Sequence, residues 1–258
     1  MATLSASLRL AAIALLFAVT IPIYLGIRIF SPVKAENFSM PVFRFISYLL
    51  GATVTVIGEP VEDGPCLIAA NHVSWTDIIL ISGVIPCAFI AKSDVSSWPV
   101  FGMLARLKRS LFVEREKPGN TNHFKEEMRA RLEDGEILVL FAEGTSSNGN
   151  RVLPFKSALL SAVEGTDVPV QPLTIAYTGL GGLPMGRRRR PYLAWYGDMD
   201  LLPHLWALLK QGLFETELRF HQVVSPSDFK NRKELSGHCE EVVRDGLMTS
   251  LYRRPAKK

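Results

Sequence analysis

Cys66-Leu67-Ile68-Ala69-Ala70-Asn71-His72-Val73-Ser74-Trp75-Thr76-Asp77-Ile78-Ile79-Leu80-Ile81 is the stretch on which the rest of the chain is hung. Its first five residues form a short apolar run, the pattern of a strand buried on both faces. Its last four open an apolar helical pattern. Between them a histidine stands just past a strand end, with a carboxylate five positions later. On an ideal helix that step turns the two side chains about 140° apart, so they cannot meet on one helix face. They meet only if His72 lies in the turn and Asp77 in the first helical turn. The carboxylate then holds one ring nitrogen and leaves the other as a general base for a hydroxyl or a water. A structural reading competes: Ser74-Trp75-Thr76-Asp77 fits a capping box, with Ser74 as N-cap and Asp77 at the third helical position. These residues alone do not choose between the two.

Upstream, residues 10–27 are almost wholly apolar between Arg9 and Arg28. That is at the lower limit of the roughly 20 residues that cross a bilayer. A cleaved signal peptide, cut near Val33-Lys34-Ala35, is the rival. The run exceeds the usual signal core of about 7–15 residues, so a retained anchor is expected. Arg9 set against Arg28 and Lys34 does not fix its orientation. Residues 40–50 place Val42, Phe43, Phe45, Ile46, Leu49 and Leu50 against Arg44 and Ser47. That pattern suits either a helix in the membrane interface or an amphipathic core helix. Residues 53–58 alternate as a strand should. The expected division is 1–52 as anchor and interfacial helix, and 53–258 as one domain.

Downstream, strand patterns at 87–91, 110–113, 136–141, 168–177, 192–196 and 217–224 are expected. Helical patterns at 98–107, opened by Pro99, and at 122–132, 155–163 and 228–251 separate them. Such alternation predicts an α/β fold: a largely parallel mixed sheet covered by helices on both faces, here with an N-terminal membrane-anchoring helix.

The 258 residues are 48% hydrophobic with a formal net charge of +4. A pI near 9.0 suits an anionic membrane surface or acidic substrates. Nucleic acid is not an expected partner, because no basic stripe is interleaved with stacking aromatics. Cys66, Cys87 and Cys239 are odd in number and widely spaced, as reduced core residues of a cytosol-like compartment would be. His123, His204, His221 and His238 are scattered, so no metal site is expected. There is no Gly-x-Ser-x-Gly nucleophile elbow. Arg187-Arg188-Arg189-Arg190 reads either as a membrane-surface patch or as a solvated loop.

Three further clusters follow strand ends, where open α/β sheets place their sites. They are Phe141-Ala142-Glu143-Gly144-Thr145-Ser146-Ser147 with Leu153-Pro154-Phe155-Lys156, then Leu111-Phe112-Val113-Glu114-Arg115 preceded by Lys92, and Val168-Pro169-Val170-Gln171-Pro172. Singly they read as a turn, a solvated strand end and the opening of an edge strand. In this order, with the His72 block, they resemble the 1-acylglycerol-3-phosphate acyltransferase family of glycerolipid acyltransferases. That family carries Asn-His-x-x-x-x-Asp, Phe-x-x-Arg, Phe-Pro-Glu-Gly-Thr and Val-Pro-Val blocks at similar spacings. The resemblance covers 54–177 and makes 53–258 the acyltransferase domain.

The resemblance implies a membrane-associated O-acyltransferase with His72 as general base and Asp77 as its partner. The fatty acyl group would pass from an acyl thioester, on acyl carrier protein or coenzyme A, to the free hydroxyl of a lysolipid, with no other cofactor. It implies an acceptor site at Arg115, Glu143, Gly144 and Thr145, at the inner (cytoplasmic) membrane with the domain facing the cytoplasm. Three departures stand out. Ala142 replaces Pro, Arg109 stands where a Gly often precedes the Phe-x-x-Arg block, and Ser146 stands where many members have Arg. Without that Arg, a phosphate needs Arg115 or Lys156 for its charge. The run from Phe141 to Gly149 is closer to the bacterial lyso-ornithine-lipid acyltransferase branch, which leaves two acceptors: 1-acyl-sn-glycerol-3-phosphate and lyso-ornithine lipid. The rivals are a hydrolase that activates water through the His-Asp pair, and an idle lipid-binding homologue.

Overall fold

A computed structural model of the chain describes residues 2–98, 101–113 and 120–252. Its strands, in chain order, are β1 (Ala52–Ile57), β2 (Cys66–Ala70), β3 (Ala88–Lys92), β4 (Leu111–Val113), β5 (Ile137–Phe141), β6 (Val170–Leu180), β7 (Leu183–Pro184) and β8 (Phe214–Phe220). They make one sheet in the order β1-β8-β6-β2-β5-β3-β4, with β7 hairpinned onto β6. Every pairing is parallel except β6 with β8 and β6 with β7. All residues of β2 and β5 are buried, as strands with no polar face require.

The helices are α1 (Ala2–Phe30), α2 (Pro32–Leu50), α3 (Thr76–Ser82), α4 (Phe101–Leu107), α5 (Asn120–Glu133), α6 (Leu201–Gln211) and α7 (Arg232–Tyr252). They cover both faces, which is the expected α/β architecture. On one face Phe43, Ile46 and Leu50 of α2 pack with Leu80 and Ile81 of α3 and Leu208 of α6. On the other, Met128 and Leu132 of α5 lie with Leu235, Cys239, Val243 and Leu247 of α7. The four α7 residues recur every four positions and therefore share one helix face.

α1 is long and apolar enough to cross a membrane, with a mean hydropathy of 2.4 over its best window. Leu4, Leu8 and Leu15 are each about two-thirds exposed, an apolar surface of the kind that meets lipid. Its other side is attached, with Ala6 buried and Ile13, Leu16 and Phe17 packed on the core. Ser31 caps α2 by accepting from the Lys34 N–H, and Pro32 fills the first helical position, where its missing N–H costs nothing. Val33-Lys34-Ala35 is thus a helical first turn. α2 is the amphipathic core helix of the two alternatives, although Phe45 and Tyr48 stay exposed. Gly51 ends it at φ +90°, where a Cβ would stand 2.5 Å from the Gly212 carbonyl oxygen.

Several expected elements differ. The helix expected over 155–163 is only a short 3-10 turn, Ser157–Leu160. The strand expected over 192–196 is absent. Arg190–Tyr192 forms a 3-10 turn instead, and the Trp195 N–H donates not to a strand partner but to the Val73 carbonyl at 2.9 Å. α6 has no counterpart among the expected helices; its Pro203 lies in the first turn, where proline is tolerated. β8 starts three residues earlier than the 217–224 reading, because Phe214, Thr216, Leu218 and Phe220 alternate inward. The helix over 98–107 is described from Phe101; Pro99 lies outside the described residues.

Candidate active site

Ala70 and Phe141 are paired neighbours at the ends of β2 and β5. The ladder continues one step further, with the Ala142 N–H donating to the Ala70 carbonyl at 2.9 Å. Two residues beyond the paired ends stand His72 and Glu143, at the carboxyl edge of the parallel sheet. The His72 N–H donates to Glu143 Oε1 at 3.2 Å, and its carbonyl accepts from the Ser147 N–H at 2.8 Å. Its ring stacks on Phe141 with centroids 3.8 Å apart. Asn71 fixes the same turn to β6, donating to the Ile175 carbonyl at 3.0 Å and accepting from the Ile175 N–H at 2.8 Å. The backbone that carries His72 is therefore held from both neighbouring strands.

Asp77 is the second residue of α3 and is fully buried. Its Oδ2 lies 2.8 Å from His72 Nδ1 and accepts from the N–H groups of Val73 and Ser74 at 2.8 and 3.0 Å. Its Oδ1 accepts from the Tyr177 hydroxyl at 2.7 Å. The capping-box reading is half met: Asp77 reaches back to Ser74, but the N-cap position is Trp75 and no side chain caps it. One carboxylate thus does both jobs, closing the turn and holding the imidazole. An acceptor at Nδ1 puts the proton on that nitrogen and leaves the Nε2 lone pair free to take another.

Tyr177 is a site residue that the sequence reading left as a strand end. β6 continues past β2, since Leu173 is the residue opposite Ala70, and this overhang carries Tyr177 beneath α3. Burial, and then the neighbouring Asp77, push the phenol well above its ordinary pKa, so it remains a donor. The available signal was a tyrosine at the end of a mostly apolar strand run, whose hydroxyl must find a partner when buried. Trp75 is a second such case, donating from Nε1 to His204 Nδ1 on α6 at 3.0 Å.

Glu143 is only 1% exposed. Burial pushes its carboxyl up to about 8, and Oε2 is buried without a hydrogen-bond partner among the described residues. Gly144 sits at φ +70°, the left-handed turn for which glycine is suited, with its N–H donating to the Phe141 carbonyl at 2.9 Å. Thr145 is exposed and Ser146 half-buried on the same loop. Lys156 is exposed, and its backbone N–H donates to the Ala142 carbonyl at 2.8 Å. Arg115 lies outside the described residues. Lys92, at the end of β3, pairs with Asp94 at 2.5 Å. Arg109 has φ +54°, so the backbone there keeps a glycine-like turn while the side chain pairs with Glu136 at 2.8 Å.

A half-buried histidine held by a fully buried aspartate stands at the carboxyl edge of the parallel sheet, beside a Glu-Gly-Thr turn, and comparison with known proteins gives the class of enzyme. A family model described as acyltransferase matches residues 53–176. The lyso-ornithine lipid O-acyltransferase of Rhizobium meliloti is 46% identical over 218 residues, covering 82% of this chain and 75% of that protein. The 1-acyl-sn-glycerol-3-phosphate acyltransferase of Neisseria gonorrhoeae is 30% identical over 190 residues, covering 73% and 72%. The crystal structure of the 1-acyl-sn-glycerophosphate (LPA) acyltransferase from Thermotoga maritima superposes with a TM-score of 0.68 at 26% identity, covering 99% of this chain and 98% of that one. The chain belongs to the acyltransferase family.

Proposed function

We propose that this acyltransferase is a membrane-associated lysolipid O-acyltransferase whose acceptor is lyso-ornithine lipid, with 1-acyl-sn-glycerol-3-phosphate as the second substrate. The donor is a fatty acyl thioester of acyl carrier protein or coenzyme A, and no further cofactor is required. The observation that carries the reading is the 2.8 Å contact between His72 Nδ1 and a carboxylate already saturated with donors. His72 Nε2 removes the acceptor's hydroxyl proton as that oxygen attacks the thioester carbonyl. The tetrahedral intermediate collapses with cleavage of the carbon–sulfur bond, and the imidazolium returns the proton to the departing thiolate. Glu143 supports the backbone of His72 through its N–H, and the Gly144-Thr145-Ser146 loop and Lys156 bind the acceptor, with Arg115 added to them by the family resemblance alone.

The choice of acceptor follows from Ser146, which cannot supply the fork of charge that a phosphate favours, and from the name borne by the Rhizobium relative. The exposed apolar side of α1 supports attachment to the inner membrane. Three free buried cysteines, each with its thiol pushed to about 12 by burial, suit a domain that faces the reducing cytoplasm. The test is full-length protein in vesicles, given acyl-thioester donor and both lysolipids in competition. Transfer to lyso-ornithine lipid at least equal to transfer to the phosphate lipid is expected, and a folded His72→Ala protein should transfer to neither. Strong preference for the phosphate lipid refutes the acceptor assignment. Thioester loss without acceptor would mark a hydrolase, and near-normal turnover by His72→Ala would remove the base.

A further inference from the structure

Arg190 carries a charge for which the mechanism above has no use. It opens the 3-10 turn Arg190–Tyr192 and is only 3% exposed. Nη1 donates to Asn150 Oδ1 at 2.9 Å, while Nε is buried with no acceptor among the described residues. The guanidinium also hydrogen-bonds the Tyr252 hydroxyl, and its nearest charged neighbour is another cation, Arg187; among the described residues it forms no ion pair. A guanidinium does not escape this cost by losing its proton. A buried charge left without an anion is among the most unfavourable arrangements a fold can hold.

The position of this cation is as informative as its lack of a counter-charge. Asn150 lies on the loop that begins at Glu143-Gly144-Thr145, and Ser147 in that loop donates to the His72 carbonyl. Gly149, at φ +74°, is wedged between Val73 and Arg190: a Cβ there would lie 3.2 Å from Val73 Cγ1 and 3.8 Å from Arg190 Cβ. Five residues after Arg190, the Trp195 N–H is bound to the Val73 carbonyl at 2.9 Å. Arg190 therefore belongs to the layer formed by the residue next to His72 and the loop that carries Ser146.

We infer that Arg190 is the anion-binding residue of the acceptor pocket, its unfilled donors completed by the headgroup anion of the lysolipid. The planar fork of a guanidinium matches either a carboxylate, as on an ornithine headgroup, or a phosphate. The inference rests on the reading of the acceptor as a lysolipid whose headgroup carries a carboxylate or a phosphate.

The test is Arg190→Met in the full-length protein, which keeps an unbranched apolar stem and deletes the charged end. KM and kcat are measured for lyso-ornithine lipid, 1-acyl-sn-glycerol-3-phosphate and an uncharged monoacylglycerol, alongside Tm. KM for an anionic acceptor should rise about ten- to a hundredfold, the worth of a lost charge-assisted hydrogen bond, with kcat and the neutral acceptor much less affected. Tm should hold or rise, because an unpaired buried charge has been replaced by an apolar group. A rise confined to the ornithine lipid identifies the carboxylate as the ligand, and one confined to the phosphate lipid identifies the phosphate. Unchanged KM for both anions, or an equal change for all three acceptors with a fallen Tm, overturns the inference and leaves Arg190 a structural clamp. If Arg190→Met does not fold, Arg190→Lys is read in the same way: it keeps the charge without the fork, so an intermediate rise in KM is expected and no rise overturns. Binding of the same lipids without donor, followed by thermal shift, reads Arg190 separately from turnover. Failure of the wild-type protein to acylate either lipid would sink the proposed function, whereas lipid binding that ignores Arg190 would sink this inference alone.

Discussion

Asp77 and Glu143 are two buried carboxyl groups on either side of His72, and the fold treats them oppositely. Asp77 receives four donors: the imidazole, two backbone N–H groups and the Tyr177 hydroxyl. Glu143 is met only by backbone N–H groups, of His72 at 3.2 Å and of Leu153, and keeps an oxygen with no partner among the described residues. The first is a completed network that holds a charge in place before any substrate arrives. The second is held toward its neutral form by burial, at about 8. The His72 turn is preorganised in its polar contacts, while the Glu143–Asn150 loop still has polar capacity to offer. Unused capacity of that kind is what a substrate-binding loop would retain.

The strongest way to break this contrast is Asp77→Asn. An amide offers one acceptor oxygen where four donors converge and turns an N–H toward one of them, so His72 loses its orientation and its tautomer. Turnover is expected to fall by about a thousandfold, within the range that general-base catalysis contributes, and a steady-state assay on the folded variant checks it. A loss of less than tenfold would mean that Asp77 serves only to close the turn.

Tyr177→Phe removes one of the four donors and leaves the carboxylate charge in place. A loss of about 1–2 kcal/mol in unfolding free energy is expected from the missing buried hydrogen bond. The fall in turnover should stay within about tenfold, as expected for a group that acts through Asp77. Chemical denaturation and the same assay measure both. A fall as large as that of Asp77→Asn would place Tyr177 at the reacting atoms.

Glu143→Gln sharpens the other half of the contrast and should be visible mainly in a pH profile. The folded protein keeps the Glu143 proton up to about 8, whereas the unfolded chain releases it near 4.5. Across that window the unfolded state binds fewer protons, so this group's contribution to stability falls as pH rises. Gln is neutral in both states and removes the decline. Tm of the variant, measured from pH 5 to 9, should therefore gain on the wild type as pH increases. Parallel profiles would show that Glu143 is ionised in the fold after all.

Much of this arrangement was legible in the residues themselves. The apolar run of β2, a histidine at its end and an acid one helical start later restrict the pair to a strand-turn-helix geometry, because no single helix face allows the contact. The alternation of strands and helices set the fold class. The four blocks in order pointed to the family. Where local signals compete, the sequence was silent or misleading. The 155–163 helix shrank to a 3-10 turn, and the apolar residues 192–196 went to cover the His72 turn instead of joining the sheet.

The sequence by itself determined local chemistry: which side chains can accept, donate or carry charge, and which short runs must be buried. Those are properties of residues and of spacings within one element. Only the tertiary structure decided which partner each buried polar group met. Tyr177 reaches Asp77 across 100 residues because β6 overhangs β2, and Asn71 meets Ile175 across 104. It likewise decided that Arg190 lies beside the loop that carries Ser146. The physical reason is that a buried charge or hydroxyl is satisfied through contacts between elements, whose register is fixed by the packing of the whole sheet and not by the sequence on either side of the residue.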